Sequence, residues 1–129
     1  MTVDDLIDRL ASGTRVEFEE TIATIEQNYR YQPVTFTNGF GAEKIINAAG
    51  TNEGSCKIFA FACLHELTQD STLALFGNFY WVDVLGNPGG SNHKNIRNFM
   101  KFGWDHIEME GQALTPLHEL GFLTAERWM

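Results

Sequence analysis

The sequence predicts a mainly helical α+β fold, with about six to seven helices around one central buried helix and a minor two- to three-stranded antiparallel sheet. Three observations predict it. Residues from about Glu53 to Leu67 are apolar on nearly every side, which marks a helix enclosed by its neighbours. Helix-opening residues recur along the chain, at Thr2, Thr14, Thr68 and Ser91 or Asn92, each ahead of apolar residues at helical spacing. Only Val34–Asn38 and Ile107–Met109 alternate as clear strands, so the sheet is small and pairs them.

In chain order, Val3, Leu6, Ile7 and Leu10 make the stripe of a first helix, capped by Thr2 and ended by Gly13. Thr14 and Glu17 form a T-x-x-E capping box for a second, with Phe18, Ile22, Ile25 and Tyr29 as its stripe and Gln32-Pro33 as its stop. The strand Val34–Asn38 ends in the turn dipeptide Asn38-Gly39. Phe40 to Ala49 fits a short helix or a second strand equally. The buried helix follows. Thr68 then caps a helix through Leu73, Leu75 and Phe76 to Gly77. Phe79 to Leu85 reads as helix, because Tyr80, Trp81, Val84 and Leu85 share a face. Asn87-Pro88-Gly89-Gly90 is a loop, and the next helix turns Ile96, Phe99 and Met100 inward before Gly103. Thr115-Pro116 opens a short final helix with proline at its first position.

At 129 residues with 43% hydrophobic and 20% charged side chains, the chain reads as a single domain spanning 1–129 with a real core. Net charge is −8 and no basic run exists, which excludes a nucleic-acid partner and disfavours an anionic membrane surface. MTVDDLIDRLASG lacks the basic and apolar regions of a Sec signal, and no apolar run reaches the roughly 20 residues of a membrane span. A bacterial cytoplasmic location is expected. Cys56 and Cys63 would stand about 10 Å apart on one helix, too far for a disulfide.

Cys56 is the first candidate for chemistry. Gly54-Ser55-Cys56 resembles the papain-type signature in which Gly-Ser-Cys opens a buried helix, where free backbone N–H groups favour a thiolate. His93 would serve as base, oriented by Asn92 or Asn95. Against this, the papain pattern has a cysteine where Gly54 stands and an aromatic residue where Lys57 stands. A free cysteine often fills a core, and Glu53 opposes thiolate formation. Cys63, in mid-helix, reads as core. His65, His93, His106 and His118 lack the spacing of a metal site, and no cofactor is implied. Phe79-Tyr80-Trp81, Trp104 and Trp128 fill the core or line a pocket. Gly89-Gly90 lacks the lysine of a phosphate-binding P-loop.

The segments FTNGFGAEKIINAAGTNEGSCKIFAFA, TLALFGNFYWVDVL and NHKNIRNFMKFGW, in this order and spacing, resemble the HopJ type III effector family. The resemblance implies a small protein exported by type III secretion, with no assigned reaction. Within the shared pattern Asn52, Glu53, Ser55 and Cys56, then His93, Asn95 and Arg97, are polar residues at element ends where a site could form. Asn52, Glu53, Ser55, Asn95 and Arg97 are the binding candidates.

Three functions compete. A protein that binds a protein partner without catalysis is preferred, because no complete catalytic constellation is visible. A cysteine hydrolase or transferase using Cys56 and His93 would show Cys56 alkylated before Cys63. A secretion chaperone would need a curved sheet of several strands.

Overall fold

The computed structural model describes residues 1–117. Helix α1 (Val3–Ser12) starts on a capping box: Thr2 Oγ1 accepts from the Asp5 amide at 3.0 Å, and Asp5 returns the bond to the Thr2 amide. Helix α2 (Phe18–Asn28) begins three residues later than the T-x-x-E pattern suggests. Its box joins Glu17 to Glu20, while the Thr14 hydroxyl meets Ser12 at 3.0 Å. Residues 14–16 stay outside the helix and Val16 is buried. Phe18 sits beside Gly77, whose φ of +60° and 2.6 Å clearance from the Phe18 nitrogen leave no room for a Cβ.

The helix predicted to run on through Tyr29 stops at Asn28. Strand β1 (Tyr29–Tyr31) takes over because it has a distant partner at the other end of the described chain. Strand β2 (Phe36–Asn38) follows, then a 3-10 turn (Gly41–Glu43) and strand β3 (Ile45–Asn47), which resolves the ambiguous segment. Helix α3 (Glu53–Leu64) leads to α4 (Gln69–Ala74), where Thr68 Oγ1 accepts from the Ser71 amide at 3.1 Å. Phe79–Val84 is helical as expected but wound as a π-helix, with the Leu85 amide bonded to the Tyr80 carbonyl. Helix α5 (Lys94–Phe102), a 3-10 turn (Trp104–His106) and strands β4 (Ile107–Met109) and β5 (Leu114–Pro116) complete the order.

Two small antiparallel sheets result. In one, β2 lies between β3 and β4, with Phe36 opposite Asn47 and Met109 and Asn38 opposite Ile45 and Ile107. The pairing of β2 with β4 is the one the alternation predicts. In the other, β1 pairs with β5, Tyr29 opposite Pro116 and Tyr31 opposite Leu114. Thr115-Pro116 is therefore extended, and helical structure begins at Leu117, one residue later than the expected Pro116. The proline, which cannot donate to a ladder, sits at the end of a strand paired on one side only. The remainder of the expected final helix, with His118 and Trp128, lies outside the described residues.

Helix α3 is the centre. Ile58, Phe59 and Phe61 have no solvent exposure, and the Phe59 ring meets those of Phe36, Phe76, Phe99 and Trp104 at centroid distances of 5.1–6.3 Å. Edge-on and tilted contacts of this kind favour aromatic quadrupoles as well as burying area. The helix ends at Leu64 rather than Leu67, closing at Glu66 with a left-handed φ of +51°. Cys63 and Leu64 are exposed, which corrects their reading as core. Seven residues is nearly two turns, so both thiols lie on one side of α3. Tyr31 and Val34 reach Cys56, whereas Cys63 is exposed. Met100 is also exposed, whereas Ile96 and Phe99 point inward as expected.

A polar pair closes this far end. The Tyr29 hydroxyl meets His65 Nε2 at 2.5 Å, where α3 caps. Burial lowers the His65 pKa, with Asp4 acting weakly against it, and burial raises that of Tyr29. Burial thus disfavours the charged form of both partners in this contact.

Candidate functional site

Four of the predicted site residues, Asn52, Ser55, His93 and Asn95, lie together at the starts of α3 and α5. There a cavity of about 550 Å3 opens. Its polar wall holds Asn52, Ser55, His93, Lys94 and Asn95, and its apolar wall includes Phe18, Ile45, Phe76 and Phe79. Gly54 belongs to the rim because a Cβ there would come within 2.9 Å of the Phe18 ring. Phe18 meets Phe79 edge-on at 4.9 Å, and Phe79 lies 5.0 Å from the His93 ring. These three rings form one side of the opening.

Both helices start in the same unusual way. The residue preceding each first turn, Asn52 for α3 and His93 for α5, is left-handed, at φ +48° and +53°, and neither caps the helix with its side chain. Ser91 and Asn92, the expected caps of α5, do not cap it. The first intrahelical acceptors are the Asn52 and His93 carbonyls, which take the Cys56 and Ile96 amides. The amides of Glu53, Gly54 and Ser55, and of Lys94 and Asn95, have no partner among the described residues. Gly54 and Ser55 of α3 and Lys94 and Asn95 of α5 line the cavity, so the positive ends of two helix dipoles lie beside one space. Lys94 adds a full positive charge at the first position of α5, where the dipole opposes it.

A lattice of buried asparagines holds the two starts together. Asn38, Asn47 and Asn95 are 0%, 1% and 8% exposed. Asn38 Nδ2 donates to Asn95 O and Oδ1 at 2.8 and 3.0 Å. Asn95 Nδ2 donates to Asn47 Oδ1 at 2.9 Å, and Asn47 Nδ2 donates back to Asn95 Oδ1 at 3.1 Å. Asn52 Nδ2 donates to Asn47 Oδ1 at 2.8 Å. The sheet, the α3 start and the α5 start are therefore bolted by amide groups that burial makes expensive to break.

The structure separates the remaining candidates. Cys56 is 1% exposed, and its thiol donates to the Val34 carbonyl at 3.8 Å. Burial pushes its pKa up, with Glu53 in the same direction, against weaker effects of Val34, Tyr31 and Lys57. Cys56 does not line the cavity and makes no hydrogen bond to His93. His93 instead pairs through Nε2 with Asp83 Oδ2 at 3.0 Å. Asn92 and Arg97 belong to the adjoining loop: the guanidinium donates to Asn92 O and Oδ1, Asn87 O and Pro88 O at 2.6–3.3 Å. Glu53 is half-buried beside the cavity but does not line it. Among the described residues no three histidine, cysteine or acidic side chains group as metal ligands. Of the aromatic cluster, Phe79 faces the cavity, Trp81 lies under the Arg15 guanidinium at 4.4 Å, and Trp104 packs in the core.

Sequence reasoning missed Lys94, Asp83, Asn38 and Asn47. Two signals were present. A lysine at a helix start contradicts the dipole, and Asn38 shares the Phe36 side of an alternating strand that otherwise faces the core.

What stands here is a mainly helical α+β protein with a cavity of mixed polar and apolar lining at paired helix starts. The chain belongs to the HopJ type III effector protein family, whose profile matches residues 3–114. It is similar to the crystal structure of a protein of unknown function, VPA0580, at 49% identity and TM-score 0.84, covering 90% of this chain and 94% of that one. No curated protein matches it. No helix among the described residues is long and apolar enough to cross a membrane.

Proposed function

We propose that this chain is a partner-binding effector without a reaction of its own, made in the bacterial cytoplasm and exported by type III secretion. The cavity between the starts of α3 and α5 takes an acidic group of a protein partner. One observation carries this reading: Asn52, Ser55, His93, Lys94 and Asn95 line a single cavity at the starts of α3 and α5, and the first-turn amides of Gly54, Ser55, Lys94 and Asn95 have no partner among the described residues. The family description supports the export route. A carboxylate held by these donors replaces water on both helix ends and is compensated by Lys94. Contacts of this kind give an isolated carboxylate an affinity in about the millimolar range.

The geometry lends no support to a thiol nucleophile, because Cys56 is covered and its thiolate disfavoured. Nor does it favour a secretion chaperone, since the described strands are three residues each in two separate sheets.

Titration with acetate and with inorganic phosphate, followed by backbone amide NMR, tests the reading. Saturable shifts at Gly54, Ser55, Lys94 and Asn95 are expected, weakened several-fold by Lys94→Ala. Shifts that never saturate, or that spread evenly over surface lysines, would refute it.

A further inference from the structure

A second surface lies on the outer side of α5. Val84, Leu85, Pro88 and Met100 floor a depression of about 300 Å3, walled by Arg97 and Lys101. Leu85 and Met100 are 42% and 37% exposed, so two large apolar side chains are left uncovered at one spot. The charge around them is opposite to that of the molecule. Helix α5, KNIRNFMKF, carries three cations and no acid, on a chain with 17 acids and 9 bases. Arg97 gives its donors only to neutral oxygens of the 87–92 loop. Its charge is thereby fixed in place, and no carboxylate among the described residues pairs with it. Lys101 pairs with Glu43 at 2.6 Å, but both are more than half exposed, so a competing carboxylate displaces Glu43 at little cost.

We propose that this depression docks a protein segment presenting one large apolar anchor flanked by aspartate or glutamate. The volume suits a single side chain at the low end of ligand-site sizes, the arrangement of an interface hot spot. The cationic walls select acidic flanks, and their rigidity through the Arg97 clamp limits the ordering lost on binding. An anionic bilayer fits less well: the floor is concave, and the net charge of −8 repels that surface. This inference rests on the partner-binding reading but not on the occupant of the α3–α5 cavity.

The test uses a fluorescent peptide with one Trp between pairs of glutamates, its lysine-substituted counterpart, and anionic phospholipid vesicles. The acidic peptide is expected to bind in a salt-sensitive way, and about tenfold or more weaker to the doubly substituted Leu85→Ser/Met100→Ser protein or to Lys101→Glu. Both variants change exposed positions, and circular dichroism confirms their folding. The acetate response at Gly54 and Ser55 is expected to persist in the Leu85→Ser/Met100→Ser protein. The proposal fails if the acidic peptide does not bind, if the lysine peptide binds equally, or if vesicles bind in its place. It also fails if sedimentation shows Leu85 and Met100 joining two copies of the chain. Peptide binding that needs Lys94 and ignores Leu85 and Met100 would overturn it while leaving the cavity reading intact.

Discussion

Helices α1 and α4 begin on threonines whose hydroxyls each bond one first-turn amide, while α3 and α5 begin on left-handed Asn52 and His93 whose side chains bond none. At the capped starts the third amide of the helix has a side-chain acceptor, Thr2 for Asp5 and Thr68 for Ser71, and at α1 the exchange is mutual. There the hydrogen bond from the Thr2 amide, then that from its hydroxyl, hold the Asp5 carboxyl below the usual carboxylate range. At α3 the amides of Glu53, Gly54 and Ser55, and at α5 those of Lys94 and Asn95, have no partner among the described residues, the residue before each helix is left-handed, and at α5 a lysine is set against the dipole. Features that each cost stability, gathered at one opening, are what a binding site requires and what a purely structural end avoids.

The largest expected difference concerns the thiols on α3. Iodoacetamide is expected to label Cys63 in the folded protein and Cys56 only after denaturation, read by peptide mass mapping. Early modification of Cys56 would mean that the α3 start is more open than its 1% exposure implies. Next comes the lattice joining the two uncapped starts. Asn47→Ala strands the buried Asn95 amide and removes the acceptor of Asn52, and should lower unfolding free energy in urea by about 2–3 kcal/mol. A loss under about 0.5 kcal/mol would show the starts held by packing alone. The caps themselves follow. Thr68→Ala should lose about 1 kcal/mol. Asn52→Gly should stay within about 0.5 kcal/mol, because relief of left-handed strain offsets one lost hydrogen bond. Equal losses in the two variants would erase the distinction.

The smallest effect is at the other end of α3. His65 has its pKa lowered by burial, so the folded protein binds fewer protons there than the unfolded chain. Its contribution is fully present above the unfolded value of about 6.5 and declines as pH falls through that value toward the folded one. Thermal midpoints should therefore drop more steeply below about pH 6.5 in the native sequence than in His65→Asn.

What could be read from the chain was mainly local. Thr2 and Gly13 bracket α1, Thr68 opens α4, and the unbroken apolar run places α3, because caps and periodicity act within a few residues. The β2–β4 pair followed from alternation in both partners. The β1–β5 pair was hidden, since Tyr29–Tyr31 continues a helical stripe and Thr115-Pro116 imitates a helix start. Only contact between the two ends makes them strands. Cys63 and Met100 misled for a related reason: periodicity gives a side of a helix, not how far its cover extends. Of the site, Asn52, Ser55, His93 and Asn95 were legible as polar residues at element ends, and the structure joins them. The roles of Arg97 as a loop clamp and Asp83 as the His93 partner depend on approaches that spacing does not encode.

The strand pairing of Tyr29–Tyr31 with Leu114–Pro116 also has a consequence in time. A ribosome adds about 5–20 residues per second, so the first strand emerges on the order of ten seconds before its mate. Through that interval Tyr29–Tyr31 lacks the partner that Leu114–Pro116 later supplies, so this sheet closes only after most of the described chain has been made.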